Sequence, residues 1–148
     1  MLEMKFENGM YILTKEFVKN ELEVHYKDDE TLDKRIKANS RKIYNYIYSH
    51  SYSANRPLIE KLLNNTPEGY KFLKDVLLSQ MEADLETGYN DLTKQPAINM
   101  ANFNTIDRNL LFINQISPDT EQILDNSRAY FKGINILYQG PLHLLGGF

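Results

Sequence analysis

Residues 28–50, DDETLDKRIKANSRKIYNYIYSH, decide how the chain is read. Leu32, Ile36, Ile43 and Ile47 recur at spacings of 4, 7 and 4, with Ser40 filling the gap, so they line one face of an α-helix. The acids Asp28, Asp29, Glu30 and Asp33 gather at its start, where the helix dipole favours negative charge. The bases Lys34, Arg35, Lys37, Arg41 and Lys42 follow on the flanks and outer side, and Tyr44 and Tyr48 sit beside the seam. An amphipathic helix with its charge sorted along the dipole accounts for most of the stretch. Its outer face, with Arg35, Arg41 and Lys42, is then available to meet a neighbouring copy of the chain.

Working outward, the segment after residue 50 supplies two further helices. PLIEKLLNN begins with Pro57, a residue suited to a first helical turn. Thr66-Pro67-Glu68 then reads as a cap, a first-turn proline and an early acid. The helix it opens runs to about Thr87 and stops at Gly88, with Tyr70, Leu73, Val76, Leu77, Met81 and Leu85 inward and Gln80 beside the seam. This is the strongest amphipathic signal and the expected core helix; Gly69 conflicts with it by about 1 kcal/mol relative to alanine. Towards the N-terminus, Thr14 caps a short helix over about 15–24 with Phe17, Val18 and Leu22 inward. Residues 1–13 carry an Asn8-Gly9 turn signal and form a small hairpin or a loose arm.

Residues 88–104 alternate turn residues with isolated apolar ones and read as a long loop or irregular hairpin, while 105–116 are ambiguous between helix and strand. Ser117-Pro118-Asp119 opens a last helix over about 118–131, with Ile123, Leu124 and Tyr130 inward, closed by Gly133. The fold expected is therefore mainly α: a small bundle of four to five helices over 1–133, with an arm at 1–13 and an irregular segment at 88–116. Residues 134–148, INILYQGPLHLLGGF, form an extended C-terminal tail. Its apolar residues Ile134, Ile136, Tyr138, Leu142, Leu144, Leu145 and Phe148 suit either strand addition to a partner or a last strand folded onto the chain's own core.

Composition narrows the function classes. With 148 residues the chain is one domain's length, enough to bury a core without a covalent staple. It has no cysteine, which excludes disulfides, thiolate metal sites and a cysteine nucleophile, and suits a reducing compartment. The formal charge of −3 is opposite in sign to that of a protein that coats nucleic acid. MLEMKFENGMYIL has no basic start leading into an apolar run, and no stretch approaches the roughly 20 apolar residues of a span, so a soluble protein without a signal peptide is expected.

Chemistry-bearing motifs are missing from the sequence. His25, His50 and His143 lie in separate segments without a partner at metal-ligand spacing. DDETLD lacks the glycine and closing glutamate of a calcium loop. There is no GxSxG, P-loop or GxGxxG. Glu82 and Glu86 are one helical turn apart, with Asp84 on another side, which reads as solvation of an exposed face. The expectation is a protein without catalytic residues, metal or cofactor.

The order of parts resembles the small head–tail connector (adaptor) proteins of long-tailed bacteriophages. In YILTKEFVKNELEVHYKDDETLDKRIKANSRKIYNYI, a short helix with Lys19 and Leu22 precedes an acidic loop at Asp28 and Asp29, and a longer helix follows. GYKFLKDVLLSQMEADLETG is similar to the family's central helix, and NQISPDTEQILDNSRAYFKG to a helix that some members carry after a long loop. The likeness spans about 11–133; PLIEKLLNN is an addition to the shortest members. It implies a helical bundle whose copies form a ring, commonly of twelve, under the portal protein in the virion neck. Such a ring is assembled in the host bacterial cytoplasm, extends the DNA channel and receives the next neck, stopper or tail protein. Genomic DNA would pass through without sequence-specific binding. Two other readings stay open: a small DNA-binding protein of the terminase-small-subunit or regulator type using Lys34, Arg35, Lys37, Arg41 and Lys42, and a helical regulator with a peptide-binding tail.

Overall fold

Asn8 and Gly9 both take positive φ, at 52° and 80°, the backbone that a two-residue hairpin loop of the I′ kind requires. They join β1 (Met4–Glu7) to β2 (Met10–Leu13) in an antiparallel pair that sets Met4 opposite Leu13 and Glu7 opposite Met10. The computed structural model that shows this describes residues 2–22, 28–86 and 116–137. Of the two sequence readings of residues 1–13, the hairpin is the one found. A lone hairpin is marginal in water, and this one is pinned from three sides. Met4, Ile12 and Leu13 are buried, the Thr14 amide donates to the Glu3 carbonyl at 3.0 Å, and Lys74 pairs with Glu3 at 3.1 Å.

Four of the five described helices start at a side-chain cap visible in the sequence; the Arg56–Asn64 helix does not. The Thr14 hydroxyl accepts from the Phe17 amide at 3.3 Å and opens α1 (Lys15–Leu22). Asp28 accepts from the Thr31 amide at 2.6 Å and opens α2 (Asp29–Ser49). A single 3-10 turn, Ser53–Asn55, leads into α3 (Arg56–Asn64). Thr66 accepts from the Gly69 amide at 2.9 Å at the head of α4 (Pro67–Glu86). Ser117 accepts from the Thr120 amide at 3.2 Å at the head of α5 (Pro118–Asp125).

Helix α4 is the axle of the bundle. Its Phe72, Leu73, Val76, Leu77 and Met81 are buried against Leu32, Ile36, Ile43 and Ile47 of α2, Ile59 and Leu63 of α3, and Leu124 of α5. All seven residues expected in the core, Leu32, Ile36, Ile43, Ile47, Leu73, Leu77 and Met81, are 2% exposed or less. The fold is mainly α, five helices with one small two-stranded sheet among the described residues.

Three details differ from the sequence reading. Gly69 is not a tolerated defect: a Cβ there would meet the carbonyl oxygens of Leu62 and Leu63, so the tight α3–α4 turn needs a residue without one. The last helix stops at Asp125 rather than near 131. Asn126 caps it, and buried Ser127 starts a 3-10 turn (Ser127–Ala129) and uses its hydroxyl to accept from the Ile136 amide at 3.2 Å. The third concerns the boundary expected at residue 133. Gly133 does end the helical run, at φ 91°, but Ile136 and Leu137 then turn inward and are buried in the same core. The expected stop at Thr87 and Gly88 and the irregular segment up to residue 115 lie outside the described residues.

Candidate functional site

The outer face of α2 was expected to carry Arg35, Arg41 and Lys42 to a neighbouring subunit, and the structure separates these three. Arg35 turns inward. Its Nη2 lies 3.0 Å and its Nε 3.3 Å from Oδ2 of Asp84 on α4, and the two side chains are 12% and 0% exposed. Asn39, one turn further along α2, donates to the same oxygen at 2.5 Å and to the Arg35 carbonyl at 2.9 Å. Arg35 is therefore a tie between α2 and α4 and not an outward contact, because a buried carboxylate requires a charged or hydrogen-bonded partner and Arg35 is placed to supply one. Lys42 lies half-buried beside this group. Burial pushes its amine below the ordinary lysine range; the charge of Asp84 pulls it back up and that of Arg35 pushes it further down. Arg41 is exposed.

The other bases of α2 are matched along the helix itself. Lys34 pairs with Glu30 at 3.6 Å and Lys37 with Asp33 at 3.1 Å, each one turn apart. Lys19 of α1 reaches Asp29 at 2.6 Å, and that bond holds the Asp29 carboxyl below its usual range. The basic stretch that could have gripped phosphates is largely committed to carboxylates of the same chain.

Tyrosines fasten the opposite end of α2. The Tyr44 hydroxyl donates to Oδ1 of Asn64 at 2.7 Å and accepts from the Tyr11 amide at 3.0 Å, so it joins α2 to α3 and the hairpin. Burial drives its pKa well above the ordinary tyrosine value. The Tyr46 hydroxyl donates to Glu121 at 3.2 Å, and burial together with that carboxylate pushes it up to about 12. On α4, Asp75 accepts from the Tyr130 hydroxyl at 2.8 Å.

Of the tail residues expected to bind a partner, Ile134 is exposed and Ile136 is not: at 1% exposure it is part of the core. The reason is that both its backbone groups are claimed, the amide by Ser127 and the carbonyl by the Ser51 hydroxyl at 2.8 Å. Tyr138, Leu142, Leu144, Leu145 and Phe148 lie outside the described residues. Sequence reasoning missed Asp84, taken for a solvated acid on α4. The signal that could have found it is the polar pair Asn39-Ser40 in the apolar seam of α2, both buried. Among the described residues no three His, Asp or Glu side chains gather to hold a metal, and no helix is long and apolar enough to cross a membrane.

No protein-family model matches the chain, and no curated protein or solved structure matches it significantly.

Proposed function

We propose that this chain is a structural subunit of a bacteriophage neck, a head–tail connector that forms a ring under the portal, extends the DNA channel and couples the capsid to the tail. The observation that carries the reading is the unit made by α1, its acidic approach and the long α2. Lys19 and Asp29, two of the residues that carry the resemblance to connectors, are bonded at 2.6 Å and link the short helix to the first turn of the long one. That unit packs on a central α4, and a Ser117-capped helix follows the intervening segment, the order found in connectors. Ring contacts between copies of one chain are heterologous, and exposed Arg41 is the α2 residue assigned to them. The net charge of −3 favours a channel through which phosphates slide, since each neutralised phosphate adds grip.

The DNA-binding alternative loses ground because Lys34, Arg35 and Lys37 already face carboxylates of the same chain. The test is assembly of Arg41→Glu subunits on the cognate portal ring. Wild-type subunits are expected to close into a ring there and Arg41→Glu subunits to stay monomeric with an unchanged circular dichroism spectrum. Complete rings from the variant would remove the role given to Arg41, and failure of both proteins to bind any portal would remove the connector reading.

A further inference from the structure

Asn8-Gly9 is the chain's only Asn-Gly pair, and asparagine is a chemically labile residue. Its side-chain carbonyl carbon is open to attack by the main-chain nitrogen of the next residue, and a glycine there leaves the approach clear because it has no Cβ. Both residues are exposed, and a Cβ built on Gly9 would meet nothing within 4 Å. Among the described residues no hydrogen bond holds the Asn8 side chain, and the bond that reaches the turn from α3, Asn64 Nδ2 to the Gly9 carbonyl, is long at 3.5 Å. The chain's other Asn-small pairs are held. Asn39 Nδ2 donates to Asp84 and to the Arg35 carbonyl inside α2. Asn126 caps α5, and the Ser127 that follows it is fully buried.

The left-handed backbone at Asn8, φ 52°, turns the Gly9 nitrogen away from the Asn8 side chain, so the reaction waits for the tip to open. The anchors of the hairpin lie away from that tip. Met4 and Leu13 are buried, the Thr14 amide holds the Glu3 carbonyl, Lys74 holds the Glu3 side chain, and the Tyr44 hydroxyl holds the Tyr11 amide. Residues 7–10 can therefore open while the rest stays in place. A two-stranded pair is marginal by itself, and opening one end costs far less than unfolding the domain.

We propose that Asn8 is a self-modification site, which deamidates through a cyclic imide to aspartate and isoaspartate, and that the isoaspartate form releases the hairpin tip. The Gly9 nitrogen bonds to Asn8 Cγ, the Cγ–Nδ2 bond breaks, and ammonia leaves with the Gly9 proton. Water then opens the imide. Addition at Cγ breaks the Cγ–N bond and gives aspartate. Addition at the main-chain carbonyl breaks its bond to the Gly9 nitrogen and gives isoaspartate, whose backbone runs through Cβ and Cγ. The net change is ammonia exchanged for water, with no oxidant or reductant. A two-residue loop has no slack for the extra backbone atom, so the Glu7–Met10 pair that closes it is lost. Either product also puts a new negative charge next to Glu7. This chemistry is independent of the connector reading.

The test warms the full-length protein at mildly alkaline pH and follows its tryptic peptides by mass spectrometry, with isoaspartate read by an isoaspartyl methyltransferase. The peptide of residues 6–15, FENGMYILTK, is expected to gain the mass difference between water and ammonia, several-fold more slowly than the same peptide free in solution. Asn39 and Asn126 are expected to stay unchanged. Asn8→Gly, which suits the same turn, is expected to lose most of the methyl label. The modified protein is expected to keep its helical circular dichroism spectrum while the Glu7 and Met10 amides exchange with solvent about tenfold faster. An unchanged 6–15 peptide after the free peptide has fully converted, an equal gain at Asn39, or a label undiminished by Asn8→Gly would overturn the site. Isoaspartate at position 8 with Glu7 and Met10 exchange unaltered would overturn the release of the tip.

Discussion

Removing the Asp84 carboxylate is expected to loosen the α2–α4 seam more than the loss of any surface charge. Its Oδ2 accepts from Arg35 Nε at 3.3 Å, Arg35 Nη2 at 3.0 Å and Asn39 Nδ2 at 2.5 Å, all in a site where the Asp84 side chain is fully buried. Breaking a buried ion pair by deleting one partner costs about 3–5 kcal/mol, because the remaining charge stays desolvated without its counter-charge. Arg35 keeps 12% of its side chain in water, which moves the expected value for Asp84→Ala to the lower end, about 3 kcal/mol. Against a typical total of roughly 5–15 kcal/mol this is a large fraction, and at about 2–4 °C per kcal/mol it lowers Tm by on the order of 10 °C. Urea titrations followed by circular dichroism at 222 nm measure it. Replacing both partners, as in Arg35→Met with Asp84→Leu, is expected to recover most of the loss, since an apolar pair carries no desolvation cost. A cost under about 1 kcal/mol for Asp84→Ala would refute the claim that this cluster ties the two helices.

Other substitutions probe single features. Gly69→Ala gains up to about 1 kcal/mol of helix propensity but puts a methyl against the Leu62 and Leu63 carbonyls. A net loss of about 1–3 kcal/mol in the same titration is expected, and a stabilised variant would show the turn to be looser than described. Ser40 is buried with no hydrogen-bond partner for its hydroxyl among the described residues, so Ser40→Ala is expected to stabilise by about 1 kcal/mol. Ile43→Asp and Ile47→Asp each place a charge at a fully buried position and should abolish the cooperative thermal transition. On the alkaline side, the folded state holds the Tyr44 and Tyr46 protons that the unfolded chain releases above about pH 10. Their contribution is complete below pH 10 and falls as pH rises through 10 to 12, with a slope of at most about 1.4 kcal/mol per pH unit from Tyr44. Urea midpoints at pH 9 and 11 should differ less for Tyr44→Phe than for wild type.

Helix content and the core were legible because they rest on periodicity and caps. The spacing of Leu32, Ile36, Ile43 and Ile47 gives the buried face of α2, and Thr14, Asp28, Thr66 and Ser117 mark starts that the structure places within a residue. Positions decided by tertiary contact were not legible. Gly69 looks unfavourable to a propensity scale, which has no term for the two carbonyls of the preceding helix. Arg35 lies at the edge of the seam, where a long side chain can turn out to solvent or in to a partner. The choice depends on Asp84, forty-nine residues away. Ile136 belongs to a stretch whose alternation fits a free strand or a buried one equally, and two serines far apart in sequence, Ser51 and Ser127, settle it.

The connector account is tested most directly by the mass of the assembly that this protein forms with a portal ring. Native mass spectrometry or multi-angle light scattering would be run on the mixture, with a parallel arm in which duplex DNA replaces the portal at low and moderate salt. The account predicts a closed ring of subunits on the portal and no retained DNA at moderate salt. A dimer that ignores the portal and binds duplex DNA with an affinity falling steeply as salt rises would contradict it and give the basic face of α2 to nucleic acid.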